Sequence, residues 1–517
     1  MTSSNENKRI AKNTILLYIR MVVLVLISLY TSRIVFKTLG VEDFGIYNVV
    51  GGIITFIGFL SGSLSGASSR YITFALGKAK IQYQKIIFNN IISIHIIFAI
   101  IILILGETIG LWFAYKLNIP ENREFAALCI YHISVFTAAM NFIMIPYNAS
   151  IIAHEKMSTF AYLSIADATL KLSGVFILSF ITYDKLIFYA IILFTIQLLD
   201  ILVYIIYCLR NFKETRINNI SINKKLFKEI FKYAGWTMGG NLAIFGYTQG
   251  LNILLNIFFN PIINAARGVA VQIQTIINNF SNNFQVAISP QITKSYAQEN
   301  LVRMHELIIA SSKFATFLLL MICIPLMINI KIVLKLWLGE YPEYTTLFLR
   351  LILVTSILFC IANPIKTAVH ATGNLKKFQL IEGSTLLSIV PISYILLKVY
   401  CLPPETVFIV HIIIEIITQI IRVIIVLPMI KMCFTRYLKQ VVIPILKVTI
   451  VTPILPVLVH LYIQEPDTIL SLLTTSFMSL ISSLIFMYIL GCNTNEKAII
   501  KSKITNILKY HQHGYKK

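Results

Sequence analysis

Charged residues are scarce in this chain, and so are the catalytic and metal-binding motifs that contain them. Only 13% of the 517 residues are Asp, Glu, Lys or Arg, whereas 57% are hydrophobic, and the mean hydropathy is +0.79. A soluble globular protein does not have this balance. The composition therefore excludes that class and predicts a polytopic membrane protein.

Cysteine chemistry and catalytic motifs are also missing. The seven cysteines contain no C-x-x-C pair, and the sequence has no metal-ligand spacing, phosphate-binding loop or nucleophile constellation. Most of the cysteines fall in or beside apolar runs, where a thiol behaves as a small apolar side chain. We therefore predict no metal, no cofactor and no enzymatic activity. The first apolar run is too long for a cleavable signal peptide.

Fourteen apolar segments are each long enough to cross a bilayer, which takes about 20 residues of helix. We therefore predict an all-α fold with about fourteen transmembrane helices. The predicted spans are roughly 13–36, 44–68, 87–114, 125–151, 159–182, 186–209, 233–259, 262–290, 307–335, 346–370, 377–397, 405–430, 440–462 and 469–490.

The formal charge of +22 would suit a nucleic-acid partner, but the positions of the charges argue against one. The connections on one side of the predicted membrane, with both chain ends, hold 28 Lys and Arg, and those on the other side hold 6. By the positive-inside rule the basic side is cytoplasmic, so both termini lie in the cytoplasm. The basicity is then explained by topology, and we predict no nucleic-acid partner.

The sequence predicts an internal repeat that relates the two halves of the chain. The segment PYNASIIAHEKMSTF (146–160) aligns without a gap over PIKTAVHATGNLKKF (364–378), at an offset of 218 residues. This spacing contains six spans, an even number, so both halves keep one orientation and a pseudo-two-fold axis lies along the membrane normal. We predict a six-helix lobe at 1–209, a basic cytoplasmic linker at 210–232, a second six-helix lobe at 233–430, two additional helices at 431–490 and a basic cytoplasmic tail at 491–517.

One predicted span, within 262–296, is full of amides. At 100° per residue its polar side chains fall within about 60° of Arg267, in a row about 27 Å long. Lipid cannot face such a row at tolerable cost, so we expect it to line a water-filled cavity or a helix interface on a transport path. The row consists of Arg267, Gln274, Asn278, Ser281, Asn282 and Gln285.

Other intramembrane polar residues complete the predicted site. Arg20 lies about 12 Å inside the first span without an acid on its own helix, and we predict that it lines the same cavity, with Asn241 and Asn252 of span seven. Five further intramembrane charges are either structural ion pairs or a site for a coupling ion, Na⁺ or H⁺, and the sequence leaves both open. They are Asp167, Lys171, Asp200, Glu415 and Arg422.

Three segments resemble one family: LGVEDFGIYNVVGG (39–52), AARGVAVQIQTIINNFSNNFQVAISPQITKSYA (265–297) and HATGNLKKF (370–378). They are similar to the polysaccharide-transporter branch of the multidrug/oligosaccharidyl-lipid/polysaccharide exporter (MOP) superfamily, which contains flippases of O-antigen and capsule repeat units. The resemblance covers about residues 8–430.

The resemblance implies a function. Such a flippase works in the bacterial cytoplasmic (inner) membrane, beside lipids and other polysaccharide-assembly proteins. By alternating access it moves an undecaprenyl-diphosphate-linked oligosaccharide to the outer leaflet, for lipopolysaccharide or another surface polysaccharide. Related flippases hold the diphosphate with arginines on helices one, two and eight. Arg20 and Arg267 match the first and last, whereas helix two offers Tyr47 or Arg70.

Two alternatives remain. A cation-coupled multidrug exporter of the same superfamily would need acids in the cavity, for which Asp167 and Asp200 are the candidates, although the basic excess argues against it. A membrane polysaccharide polymerase or ligase would need a large external loop, and the longest external connection predicted here has about a dozen residues.

Overall fold

A computed structural model describes residues 3–78, 80–114, 119–216, 222–259, 261–463, 468–494, 496–498 and 501. All regular secondary structure among these residues is helical, which confirms the all-α prediction. Most of the predicted tail 491–517 and part of the linker 210–232 lie outside them. The longer helices are Ser3–Gly77, Ile81–Leu105, Glu124–Ala153, Met157–Leu178, Lys185–Asn211, Lys224–Phe258, Pro261–Ala297, Leu301–Ile328, Ile330–Leu338, Thr345–Thr372, Lys376–Leu387, Ile389–Val399, Thr406–Met429, Ile443–Val451, Ile454–Tyr462 and Ile469–Phe486.

Within the described residues, eleven helices are long and apolar enough to cross a membrane, so this is a multi-pass membrane protein. The predicted spans 44–68, 233–259 and 262–290 are not among the eleven. The last two lie on Lys224–Phe258 and Pro261–Ala297, which have 35 and 37 residues. These two helices are long enough to span, but their amides, glycines and charges dilute their apolar content. The count of fourteen stays a prediction.

The first two predicted spans are joined by a kink instead of a loop. Helix Ser3–Gly77 is continuous except at Gly40, which has φ 80° and ψ 175°. A Cβ built on Gly40 would have no atom within 4 Å, so space does not require glycine here. The backbone conformation requires it, because residues with a Cβ rarely adopt that combination of angles.

An acid close to this kink in the sequence has a structural partner. Asp43, within 39–52, accepts hydrogen bonds from Arg123 Nε at 2.8 Å and Nη2 at 2.5 Å. Arg123 also donates from Nη1 to Asp184 at 2.7 Å. Asp184 in turn accepts from Leu186 N–H and caps helix Lys185–Asn211. One guanidinium therefore ties together three segments that the charge pattern assigns to the external side.

The chain forms two compact units. Unit 1 consists of Met1–Phe245, Val286–Met304 and Val369–Gly383, and unit 2 consists of Gly246–Gln285, His305–Ala368 and Ser384–Lys517. The helices Lys224–Phe258 and Pro261–Ala297 each contribute to both units. Unit 1 thus combines the first half of the sequence with two short segments of the second half. The predicted lobes 1–209 and 233–430 follow the repeat in the sequence, and that division stays a prediction.

Candidate functional site

The amide-rich helix Pro261–Ala297 packs part of its predicted row against helix Thr345–Thr372. Gln274 Nε2 donates to Thr355 Oγ1 at 3.4 Å, and Gln285 Nε2 donates to Thr367 Oγ1 at 2.5 Å. Between them, Asn363 Nδ2 donates to Ser281 Oγ at 3.3 Å. All six residues belong to unit 2. We call these three hydrogen bonds the polar seam, and they make this side of the row a helix interface.

A different side of the same helix is exposed. Its polar members are Gln272, Thr275, Asn279 and Asn282, all of them exposed, and we call these four residues the exposed stripe. They recur every three or four residues, about 100° around the helix from Arg267. The stripe is about 15 Å long at 1.5 Å per residue. Hydrocarbon cannot face such a surface at low cost, so we expect the stripe to face water and not lipid.

The structure divides the predicted polar row between two surfaces of the helix. Of the predicted ladder, Asn282 is exposed, whereas Gln274 and Gln285 belong to the polar seam. Asn278 lies between the two surfaces, half-buried, and its Oδ1 has no hydrogen-bond partner in the described part of the chain. Gln272, Thr275 and Asn279 were missed. The same helical periodicity in the sequence contains them, one step further around the helix.

Arg267 is buried, with 6% of its surface exposed. Its guanidinium donates to Asn252 Oδ1 and to the Thr248 carbonyl, the latter at 3.0 Å. Asn252 also donates from Nδ2 to Gln249 Oε1 at 3.0 Å. The predicted pair Arg267 and Asn252 is therefore in direct contact, and in this conformation the arginine is held by helix Lys224–Phe258.

A second buried polar group of unit 2 lies near Arg267. Arg422 Nη1 donates to Glu415 Oε1 at 2.5 Å, and both side chains are almost fully buried. One turn before Glu415 on helix Thr406–Met429, His411 packs edge-on against the ring of Tyr247, with ring centroids 5.1 Å apart. His411 is within electrostatic range of both Glu415 and Arg267. His411 stands alone in an apolar run, a position without a distinctive pattern, so the sequence alone does not predict its place beside Tyr247.

The other predicted arginine belongs to unit 1. The Arg20 guanidinium lies 4.2 Å from the ring centroid of Phe160, a cation–π contact. Tyr204 is within electrostatic range of Arg20, Asp200 and Asp167. Arg20 and the two aspartates therefore belong to one polar neighbourhood, which the sequence alone did not reveal.

The predicted acids of that neighbourhood are paired. Lys171 Nζ lies 2.8 Å from Asp167 Oδ1, as the i, i+4 spacing suggested. The Asp200 carboxyl lies within electrostatic range of Asp167 and Lys171. Asn241, also in unit 1, donates from Nδ2 to Ser63 Oγ at 2.7 Å. Of the two residues that helix two offered, Tyr47 packs its ring 5.1 Å from that of Tyr189.

The other helix-two residue, Arg70, binds a turn of the second half of the sequence. Arg70 Nε donates to the His370 carbonyl at 3.1 Å, and Nη2 donates to the Ala371 carbonyl at 3.2 Å. The guanidinium lies 4.4 Å from the ring centroid of Tyr71 and 5.4 Å from that of Tyr233. In this structure Arg70 therefore binds the backbone of a turn.

Glu155 forms the corresponding contact at the first-half turn. Its carboxylate, with 1% of the side chain exposed, lies 2.7 Å from Arg9 Nη2 and 3.0 Å from Lys294 Nζ. Gln291 Nε2 donates to it at 2.5 Å. Glu155 thus connects the N-terminal helix and the end of helix Pro261–Ala297 within unit 1.

Comparison with known proteins identifies the family. The family model for polysaccharide biosynthesis proteins matches residues 10–296, more than half of the chain. The chain belongs to this family. The match confirms the resemblance expected from the sequence motifs. No curated protein matches the chain.

Solved structures show the fold. An outward-facing multidrug-resistance MATE transporter of the MOP superfamily has a TM-score of 0.71 at 15% identity, over 82% of this chain and 96% of that one. A MOP-superfamily transporter from Pyrococcus furiosus, for which a reversed polarity of the binding pocket has been described, has a TM-score of 0.69 at 15% identity over the same shares. The family member therefore has the fold of the MOP-superfamily transporters. Among the described residues, no three His, Cys, Asp or Glu side chains are grouped closely enough to hold a metal ion.

Proposed function

We propose that this family member is a flippase for a lipid-linked oligosaccharide. It carries the sugar-diphosphate headgroup from the cytoplasmic to the outer leaflet of the bacterial cytoplasmic membrane, while the polyprenyl chain stays in the bilayer. Membership of the polysaccharide biosynthesis family and the MOP-superfamily fold support the coarser statement, a membrane transporter. The observation that carries the finer statement is the exposed stripe.

The chemistry of the exposed stripe suits sugars. Three amides and one hydroxyl offer both donors and acceptors, which is what sugar hydroxyls require. A cationic drug would be favoured by carboxylates instead, and the stripe and the polar seam consist of neutral side chains. The Pyrococcus furiosus relative, with its reversed pocket polarity, is a precedent for different chemistry on this fold.

The two arginines are proposed to bind the diphosphate. Guanidinium groups hold phosphate oxygens in a bidentate manner, and a buried Arg267 would be worth most where water is excluded. Arg267 has to exchange its bonds to Asn252 and the Thr248 carbonyl for bonds to phosphate. Arg20 can stay over the ring of Phe160, because that contact uses the face of the guanidinium and not its N–H groups. Substrate binding is therefore coupled to rearrangement of the Arg267 contacts.

Alternating access supplies the transport step. The Arg70 and Glu155 contacts join first-half residues to 286–304 and 369–383 of the second half, at ends that the charge pattern assigns to the cytoplasm. In the proposed cycle these contacts are closed when the site is open to the outside, and they break when it opens to the cytoplasm. Both termini lie in the cytoplasm, and other polysaccharide-assembly membrane proteins are proposed partners that receive the product.

The test is a flipping assay in proteoliposomes. The substrate is a fluorescent polyprenyl-diphosphate oligosaccharide, and its appearance in the outer leaflet is read by a membrane-impermeant quencher. We expect Gln272→Leu/Asn279→Leu to flip about tenfold more slowly, since each side chain contributes about one hydrogen bond to sugar. The matched control is Ile276→Leu, an exposed neighbour on the same helix, which should flip at the wild-type rate. Wild-type flipping by the folded double variant would reject the exposed stripe as the path.

One observation favours a second function, a proton-coupled multidrug exporter. The Asp167 and Asp200 carboxyls are near enough to interact, and two neighbouring carboxyls can hold a proton between them, so this pair is the natural place for a coupling ion. The same liposomes distinguish the two functions. Accumulation of cationic dyes driven by a pH gradient, abolished by Asp200→Asn and without lipid flipping, would replace the flippase by the exporter. A polymerase or ligase would instead lengthen the added oligosaccharide, which mass spectrometry of the lipids detects.

A further inference from the structure

A short helix beside the last predicted span carries a basic cavity that the transport function does not use. Helix Ile330–Leu338 follows Leu301–Ile328, and a cavity of about 410 Å³ opens beside it. The cavity is lined by Lys331, Ile332, Lys335, Leu336, Tyr341 and Ile469. All of these residues belong to unit 2.

The helix is fixed in position at its beginning. Asn329 is buried and donates from Nδ2 to Thr475 Oγ1 at 2.7 Å and to the Pro325 carbonyl at 3.0 Å. These bonds attach the helix to the last span, Ile469–Phe486, which also supplies Ile469 to the cavity wall. The cavity is therefore an open one, bounded by a helix and a span that are attached to each other.

The position of the helix is that of a membrane interface. It lies between two spans, and Trp337 with Leu336 and Leu338 is exposed on it. Exposed tryptophan beside lysine is typical of the level of the lipid headgroups. The charge pattern assigns this end of the spans to the outer leaflet.

The positive charges beside the cavity favour an anionic ligand. Lys331 and Lys335 are one turn apart on the same face, and both are exposed. Neither has a carboxylate partner among the residues that the structure describes. Tyr341 adds a hydroxyl donor, while Ile332, Leu336 and Ile469 form an apolar wall. Two cations and a hydroxyl next to an apolar wall match a phosphate attached to hydrocarbon chains.

We propose that this cavity binds the phosphate of an anionic phospholipid of the outer leaflet, with Lys331 and Lys335 on the phosphate and one lipid chain against Leu336 and Ile469. The bound lipid fills the space between the short helix and the last span and so stabilises unit 2. The proposal does not depend on the flippase assignment, since it concerns a lipid that is retained and not transported.

The experiment measures lipid retention by the full-length protein in detergent. Native mass spectrometry counts phosphatidylglycerol and phosphatidylcholine bound after titration with each lipid. We expect the wild type to retain phosphatidylglycerol selectively, and Lys331→Gln/Lys335→Gln to bind it about 30-fold more weakly, given the attraction of each lysine for an anionic lipid. Lys331→Arg/Lys335→Arg should retain binding, which separates lost charge from failed folding.

The matched control is Lys224→Gln/Lys228→Gln, an exposed pair with the same spacing that does not line this cavity. Equal losses in both double variants would mean diffuse attraction of lipid to basic surface and would overturn the site. Undiminished binding by the folded Lys331→Gln/Lys335→Gln variant would overturn it as well. Displacement of the lipid by millimolar inorganic phosphate would overturn the lipid assignment, because it would mean that the apolar wall contributes nothing.

Discussion

Two turns of unit 1 occupy equivalent positions in the predicted repeat but are held by different kinds of contact. The alignment at an offset of 218 residues sets Glu155 over Gly373, and both have left-handed backbones, with φ 58° and 79°. At the first turn the contact is made by the side chain of the left-handed residue, since the Glu155 carboxylate forms ion pairs with Arg9 and Lys294. At the second turn the side chain is missing, and Arg70 binds the turn through backbone carbonyls.

The difference shows what glycine and glutamate each contribute. A Cβ built on Gly373 would overlap the Arg70 guanidinium, so the close approach requires glycine. Glu155 bears the strain of a left-handed conformation, and its ion pairs compensate for that strain. The first turn is therefore held by charge and the second by backbone geometry. The two should respond differently to mutation and to pH.

The largest expected effect is at the charged turn. Glu155→Gln removes the buried carboxylate and leaves Arg9 and Lys294 without it. We expect a loss of about 3 kcal/mol, at the lower end for a broken buried pair because both cations are partly exposed. Thermal unfolding in detergent measures it. The matched control is Glu299→Gln, a left-handed but exposed glutamate of unit 1, and equal shifts in the two variants would reject the role of the ion pairs.

The next effect is at the glycine turn. Gly373→Ala adds backbone strain and displaces Arg70, for an expected loss of about 2 kcal/mol. Gly339→Ala is the control, because Gly339 has a similar φ of 74° and open space around its missing Cβ. The difference between the two variants isolates the contact with Arg70. If both shift the melting temperature equally, close approach of the guanidinium is not what requires glycine at 373.

A smaller effect follows from changing the cation. Arg70→Lys keeps the charge, but an ammonium cannot span the His370 and Ala371 carbonyls from two planar N–H groups. We expect a loss of about 1 kcal/mol. In the Gly373→Ala background the same change should cost much less, since the alanine has already displaced Arg70. Additive losses in this double-mutant cycle would mean that residues 70 and 373 do not interact.

The sequence predicted the helices well, because long apolar runs can only be buried in lipid or protein. It also predicts that the amide row on Pro261–Ala297 does not face lipid, and this stays a prediction. It could not predict that Thr355, Asn363 and Thr367 would take up one side of that row. The periodicity of the sequence shows which face of a helix carries its polar side chains. Which neighbouring helix covers that face is decided by tertiary packing.

The contacts that join distant segments were the hardest to predict. The pairing of Asp167 with Lys171 was read from its i, i+4 spacing, and the structure contains it. The bonds of Arg70 to Ala371 cross 301 residues of sequence and end on a carbonyl that any residue could supply. The kink at Gly40 was predicted as a loop, since a glycine between two apolar runs gives no sign of whether helix continues directly on both sides of it.

The smallest effect concerns pH and again separates the two turns. His154, beside Glu155, contacts the Glu214 carboxylate and stacks on Phe212, with ring centroids 4.0 Å apart. Burial alone would raise the pKa of Glu214, but hydrogen bonds from His154 and from the backbone, with the charge of His154, hold that pKa below its ordinary value. A carboxyl whose pKa is lowered by folding stabilises the fold at any pH above the pKa it has in the unfolded chain, about 4.3. That stability is lost as the pH falls through the lowered pKa of the folded protein.

Melting temperatures measured from pH 6 downwards should therefore fall less steeply in Glu214→Gln than in the wild type. Arg70→Lys, which alters the turn held by neutral carbonyls, should leave the slope unchanged. If Glu214→Gln has the same slope as the wild type, the Glu214 carboxylate does not make the first turn more sensitive to pH than the second.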